Sequence, residues 1–209
     1  LEGEAFASGE PITFIRFADC NLTCTFCDTD FSTNIRAMSI ANILKRVEET
    51  RHKDCRLISI SGGEPFVQAG LPQLVRKLLA DNFEVIIETN GTLWFQEMND
   101  IANHKNLRIC CSPKTGKINK RLVKNISHYK YIVKEGETRE IDGLPNVSAL
   151  TGNEILLARP EGSFPVIYVQ PMDEQDEEKN KANLAHATKL ALKHCYRLSV
   201  QIHKIAGVP

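Results

Sequence analysis

Apolar runs of strand type alternate with amphipathic runs of helix type along the chain, and polar clusters follow the strand runs again and again. The strand runs are Pro11–Ala18, Arg56–Ser61, Glu84–Glu88, Leu107–Cys111, Tyr129–Val133, Val166–Val169 and Leu198–Ile202. Helices are predicted near Ser39–Arg51, with Ser39 as N-cap, and over Leu71–Asp81, Phe95–His104 and Asp176–His194. The last carries Leu184, Ala187, Leu190 and Ala191 on one face. The strand runs show little polar alternation, as expected of parallel strands covered on both faces. The pattern predicts an α/β fold, a partial (β/α) barrel of mostly parallel strands. The stretch from Glu135 to Gly162 holds turn signals and no readable element.

The polar clusters are the cysteine loop, Ser61-Gly62-Gly63-Glu64-Pro65, Glu88-Thr89-Asn90-Gly91, Ser112-Pro113-Lys114, Gln170-Pro171-Met172-Asp173 and His203-Lys204. Sites in parallel α/β folds lie at the carboxyl ends of the strands. One such cluster means only that loops are solvated. Six in step with the strands mark one functional rim.

At 209 residues and 42% hydrophobic, the chain fits a single domain with a sizeable core, taken as residues 1–209. Its 26 basic and 26 acidic residues balance. A general nucleic-acid or membrane-surface binder would show a basic excess, so neither partner is expected. No apolar run is long enough for a bilayer, and no charged-then-apolar leader is visible, although the chain opens on Leu1 rather than Met. Seven cysteines, three of them crowded between Cys20 and Cys27, do not form a disulfide scaffold. A reducing cytoplasm is expected. Cys55, Cys110, Cys111 and Cys195 are expected to pack as small hydrophobes.

Cys20-x-x-x-Cys24-x-x-Cys27 is the sharpest motif. Thiolates are the usual ligands of iron–sulfur clusters, which normally take four. Three on one loop leave one iron of a 4Fe–4S cube open to an amino and a carboxylate group. The competing reading is structural zinc, which needs a fourth ligand from Cys55, Asp28 or a distant His.

The cysteine spacing resembles that of the radical S-adenosylmethionine superfamily. The resemblance extends over essentially the whole chain to the 7-carboxy-7-deazaguanine synthase family. It rests on Leu1-Glu2-Gly3-Glu4, Arg16-Phe17-Ala18-Asp19-Cys20-Asn21-Leu22, Cys27-Asp28-Thr29 and the strand-end clusters above. Glu2 stands where that family usually has Gln, and Ala5 where it has Gly. The resemblance implies a radical SAM core domain with a 4Fe–4S cluster on Cys20, Cys24 and Cys27, S-adenosylmethionine and Mg2+. It implies cleavage of S-adenosylmethionine to methionine and a 5′-deoxyadenosyl radical. The radical takes a hydrogen atom from 6-carboxy-5,6,7,8-tetrahydropterin, the ring contracts, ammonia leaves, and the product serves queuosine-type deazapurine biosynthesis. An external electron donor such as flavodoxin or ferredoxin and a homodimer are implied as partners.

By the same resemblance Gly63 and Glu64 contact the methionine part of the cofactor, and Phe26 and Asp28 its adenine. Ser112, Pro113 and Lys114 hold its ribose and carboxylate, and Gln170, Pro171, Met172 and Asp173 its adenosyl part. Thr29 is the Mg2+ ligand. Leu1, Glu2, Gly3 and Glu4 cover the pterin, with Arg16, Ser61, Glu88, His203 and Pro209 as further substrate contacts. Each residue has a structural alternative. Gly62-Gly63 can be a tight turn, with Glu64 placed near a helix start. Ser112-Pro113-Lys114 can be an ordinary turn, and Thr29 can close a turn with Asp28. An Arg inside an apolar strand needs a partner, so Arg16 points to a substrate carboxylate or to a structural pair with Glu4 or Glu88. Two other functions compete. A glycyl-radical enzyme activase shares the cysteine triad, and a zinc-stabilised binding module has no catalysis.

Overall fold

The computed structural model describes residues 1–27, 33, 35–147, 156–162 and 165–208. Seven strands form one sheet in sequence order, every neighbouring pair parallel. They are β1 (Thr13–Phe17), β2 (Leu57–Gly62), β3 (Glu84–Thr89), β4 (Leu107–Cys111), β5 (His128–Val133), β6 (Ile167–Pro171) and β7 (Arg197–Leu198). The main helices are α1 (Ile40–Thr50), α2 (Leu71–Ala80) and α4 (Glu177–His194), with short α3 (Lys120–Val123) and α5 (Ile202–Ala206). This is the expected partial barrel.

The two faces of the sheet differ, contrary to the expectation of strands apolar on both sides. The outer face presents Ile15, Ile58, Ile60, Val85, Ile87, Ile109, Tyr131 and Val169 to one continuous core, into which α2 inserts Leu71, Leu74, Val75 and Leu78. Those four leucine and valine side chains are essentially solvent-free, each worth about 1.5–3 kcal/mol of burial. The inner face carries Ser59, Ser61, Glu88, Lys130 and Gln170 in alternate positions. Two periods therefore coexist in the strands, and the weak alternation of the sequence conceals a polar interior.

The near end of that interior is closed by the N-terminal segment. Ala7 packs with Leu57 and Ile86, and Phe6 lies against His128 and beneath Arg108. Ala5 donates its N–H to Ser199 Oγ at 2.8 Å, and Ile202 donates to the Gly3 carbonyl at 3.1 Å. The segment before β1 thus joins the segment after β7.

Ser39 caps α1 as predicted, its hydroxyl accepting from Asn42 N–H. The helix expected over Phe95–His104 is instead a single 3-10 turn, Gln96–Met98, followed by further turns. Asn99, Asp100, Asn103 and His104 are weak helix formers, and Asn99 spends its carbonyl oxygen on the Trp94 indole N–H. The buried face of α4 is offset from the expected one. Leu184 is exposed, and Asn183 takes the inward position, accepting from Glu135 N–H and donating to Met172 O and Glu174. The last strand is shorter than expected because Ser199 and Gln201 turn their side chains inward, and His203 falls on α5. Cys110 and Cys111 are buried as expected, but Cys195 is exposed in a left-handed helix cap, and Cys55 is half-buried with its thiol on the Pro11 carbonyl.

Candidate active site

A cavity of about 520 Å³ opens at the carboxyl ends of the strands and runs down their polar inner face, within the range of small-ligand sites. Of the residues singled out in the sequence, Leu1, Glu2, Gly3, Glu4, Arg16, Cys20, Cys24, Phe26, Cys27, Ser61, Gly63, Glu88, Ser112, Lys114, Gln170, Pro171, Met172, Asp173 and His203 line it. Glu64 and Pro113 do not. Asp28, Thr29 and Pro209 lie outside the described residues.

The cysteine loop leaves β1 through Asp19, whose φ is 65°. It is clamped against the end of β2, where Gly63 N–H donates to Phe17 O at 2.9 Å and Glu64 N–H to Asp19 O at 2.8 Å. A Cβ on Gly62 would lie 2.1 Å from Phe17 O, and one on Gly63 would lie 1.8 Å from Asp19 O. The close approach expected of these glycines toward a ligand is therefore made first to the chain's own cysteine loop. Glu64 fastens the same junction from behind. Fully buried, it caps the turn Pro65–Val67 and accepts from Phe66 N–H, Thr89 hydroxyl and Asn90 N–H at 3.1, 2.8 and 2.7 Å. Of the two readings of Glu64, the helix-start role is the one its geometry serves.

No disulfide joins Cys20, Cys24 and Cys27, and all three face the cavity. Burial pushes the Cys20 and Cys24 thiols up, and both feel the charge of Cys27. Deprotonating them together needs compensating positive charge, which a cluster's iron provides. Among the described residues, no three His, Cys, Asp or Glu side chains converge on a point that would hold a single ion. The donor set is three soft thiol ligands on one loop facing one cavity, and its chemistry fits an iron–sulfur cube. Beside it, Thr92 N–H can only donate, so it fixes the Asn90 amide with Oδ1 toward Thr92. Asn90 Nδ2 is then turned to Asn21 Oδ1 at 3.0 Å and toward Cys20 Sγ at 4.0 Å.

On the next strand ends, Lys114 Nζ donates to Ser112 Oγ at 2.5 Å and lies 5.6 Å above the Phe26 ring. Burial and then the charge of Lys130 push the Lys114 ammonium down, so an anionic ligand there would be favoured. At the end of β6, hydrogen bonds from Lys204, Gln175 N–H and Asn180 hold the Asp173 carboxyl down at about 2. His203 lies directly over Gly3, whose missing Cβ makes the room.

The cavity floor is an ionic cluster. Lys130 Nζ bridges Glu4 at 2.6 Å and Glu88 at 2.8 Å. Glu4 also accepts from Gln170 at 3.0 Å and Gln201 at 2.6 Å. Burial works against its charge, but Lys130 and these donors hold the Glu4 carboxyl down at about 2. Both acids offered as structural partners for Arg16 are thus taken by Lys130. Arg16 is exposed to the cavity, its guanidinium 5.0 Å from the Phe14 ring centroid, and among the described residues it makes no ion pair. Lys130, Gln201 and Ser59 were missed in the sequence. Lys130 is a lone cation in an apolar strand, the same signal that singled out Arg16. Gln201 and Ser59 gave none.

Glu2 sits beside this cluster, accepting from Gly3 and Glu4 N–H at 2.9 and 3.2 Å. Burial, and then the Glu88 carboxylate, push its carboxyl up from 4.5 to about 7. The folded state therefore holds a proton that the unfolded chain releases, and stability from Glu2 declines as pH rises from about 4.5 to 7. Glu2→Gln escapes that loss. Thermal melts should show equal stability at pH ~5 and an advantage to Glu2→Gln on the order of 2 kcal/mol at pH ~8. Equal melts at both pH values would refute the buried-acid account.

Three thiols over a cavity at the ends of parallel strands define a radical S-adenosylmethionine protein, and a family model described as the radical SAM superfamily matches residues 14–141. The fold of Streptococcus suis SuiB bound to S-adenosylmethionine superposes with TM-score 0.55 at 15% identity, covering 90% of this chain, which spans just under half (46%) of that one. A 7-carboxy-7-deazaguanine synthase of Rhodospirillum rubrum is 41% identical over 100% of this chain and 88% of its own length. That of Aquifex aeolicus is 32% identical over 98% and 88%. The chain belongs to the 7-carboxy-7-deazaguanine synthase family.

Proposed function

We propose that this chain is a carbon–nitrogen lyase that contracts 6-carboxy-5,6,7,8-tetrahydropterin to 7-carboxy-7-deazaguanine with loss of ammonia. The observation that carries this reading is the presence, in one cavity, of three cysteine side chains at the rim, an ion-paired acidic floor, and an Arg16 that makes no ion pair among the described residues. Cys20, Cys24 and Cys27 would hold the cluster, which would supply the electron for cleaving S-adenosylmethionine to the hydrogen-abstracting radical. The protein's part is to place two ligands and exclude water. Gly63, Ser112, Lys114, Phe26 and residues Gln170–Asp173 bind S-adenosylmethionine along the strand ends. Arg16 takes the substrate carboxylate in a bidentate pair. Glu88 accepts from the ring's N–H groups, and Glu2, Gly3, Glu4, Ser61 and His203 enclose the ring. Thr29 as Mg2+ ligand, with Asp28 and Pro209 in their implied roles, completes the reading. A flavodoxin-like or ferredoxin-like donor, a homodimer and a cytoplasmic setting belong to it as well. No helix among the described residues is long and apolar enough to cross a membrane.

The test is anaerobic reconstitution with iron and sulfide, reduction, and supply of S-adenosylmethionine with the carboxylated tetrahydropterin. A deazapurine product is expected. Deoxyadenosine without pterin turnover would overturn the reading in favour of the activase, and zinc without iron absorption would favour the binding module. Arg16→Ala should keep its cluster and lose ~10- to 100-fold in pterin kcat/KM, the worth of a charged hydrogen-bond pair. Cluster loss in that variant would remove Arg16 from substrate binding.

A further inference from the structure

We propose that Lys130 is a positioning residue that holds Glu88 aimed at the N–H edge of the substrate ring, an inference that rests on the ring-contracting reading above. Glu88 and Lys130 lie on the inner face of β3 and β5, with β4 between them. The β4 residue in register with Glu88 is Cys110, a small side chain that leaves the lysine room to reach across. The lysine side chain is only 10% exposed, and a buried ammonium needs a counter-ion. Glu4 alone would satisfy that need. It is matched in charge by Lys130, and its second oxygen is used by Gln170 and Gln201. Glu88 is the surplus carboxylate. It gives the three ion-paired groups a net charge of −1, and its side chain stays 21% exposed on the cavity wall. The pairing with Lys130 leaves acceptor positions of Glu88 open, to which a ring presenting amide and amine N–H groups can donate hydrogen bonds.

The charged and titratable groups around Lys130 are Glu2 and Glu4 on the N-terminal segment, Glu88 on β3, Cys110 on β4, Lys114 just beyond β4 and His128 on β5. Gln170 on β6 and Gln201 are neutral donors to Glu4. Burial pushes His128 down to about 4, so it is neutral near pH 7. Glu2 titrates in that region. Removing the lysine leaves Glu88 and Glu4 with no cation between them, and Glu88 without the contact that sets its direction.

The experiment compares Lys130→Met and Lys130→Arg with the parent in a Glu2→Gln background, which fixes the neighbouring position in one charge state. KM and kcat for the pterin are measured near neutral pH, with deoxyadenosine formation and thermal melts alongside. Lys130→Met should raise KM about tenfold or more, with kcat moved less. Lys130→Arg should restore KM to within about threefold of the parent. KM unchanged in Lys130→Met, or raised as much in Lys130→Arg, overturns the positioning role. Where Lys130→Met does not fold, Glu88→Gln serves instead: KM raised supports the inference, and KM unchanged overturns it. A parent that cleaves S-adenosylmethionine but leaves the pterin untouched overturns the ring-contracting reading itself, a separate outcome.

Discussion

Cys24→Ser is expected to yield a folded protein that holds no intact cluster after reconstitution and makes no deoxyadenosine. A serine hydroxyl is a harder and far less acidic donor than a thiol, and only three protein ligands are available to share the loss. Because the cofactor supplies the bond cleavage, activity should fall by at least about 10³-fold, toward the uncatalysed level. Iron content, the visible iron–sulfur absorption and single-turnover deoxyadenosine yield check this. Cys195→Ser is the control, since that thiol is exposed in a helix cap. Full activity in Cys24→Ser would remove the loop from the chemistry.

Gly63→Ala should produce a large loss of stability. Its Cβ would meet Asp19 O at 1.8 Å and Asp19 C at 2.5 Å, both backbone atoms with no rotamer to escape into. Relief requires separating the ends of β1 and β2, which breaks the hydrogen bonds from Gly63 and Glu64 N–H. The cost should exceed about 3 kcal/mol, read as a lowered urea midpoint together with poor cluster retention. Gly136→Ala is the comparison. Its φ is 77° and nothing lies within 4 Å of the added carbon, so only the left-handed conformation is penalised, at roughly 1–2 kcal/mol. Equal losses in the two variants would deny the clamp between loop and strand.

The rim was legible in the sequence because its residues come as contiguous clusters after six of the seven strands. Ser61 to Gly63, Ser112 to Lys114 and Gln170 to Asp173 could be found by following strand runs to their ends. The floor was legible only in separate members. Glu4, Glu88 and Gln170 stand out one by one, but that they gather around Lys130 and Gln201 depends on sheet register and the fold of the N-terminal segment. Ser59 reads in the sequence as an interruption of an apolar run, and only the pleat shows that it faces inward. The helix missed at Phe95–His104 and the offset face of α4 have a similar cause. Asn99 and Asn183 make side-chain hydrogen bonds to specific partners, and apolar periodicity carries no trace of such bonds.

The cysteines stand within eight positions of one another, whereas Ala5 and Ser199, which help close the floor, are 194 residues apart. The three thiols are thus local in the chain, whereas the floor exists only once the first residues and the last segment have met. Losing the segment that carries Ser199 and Gln201 would leave every thiol in place on its loop and open the chamber from below.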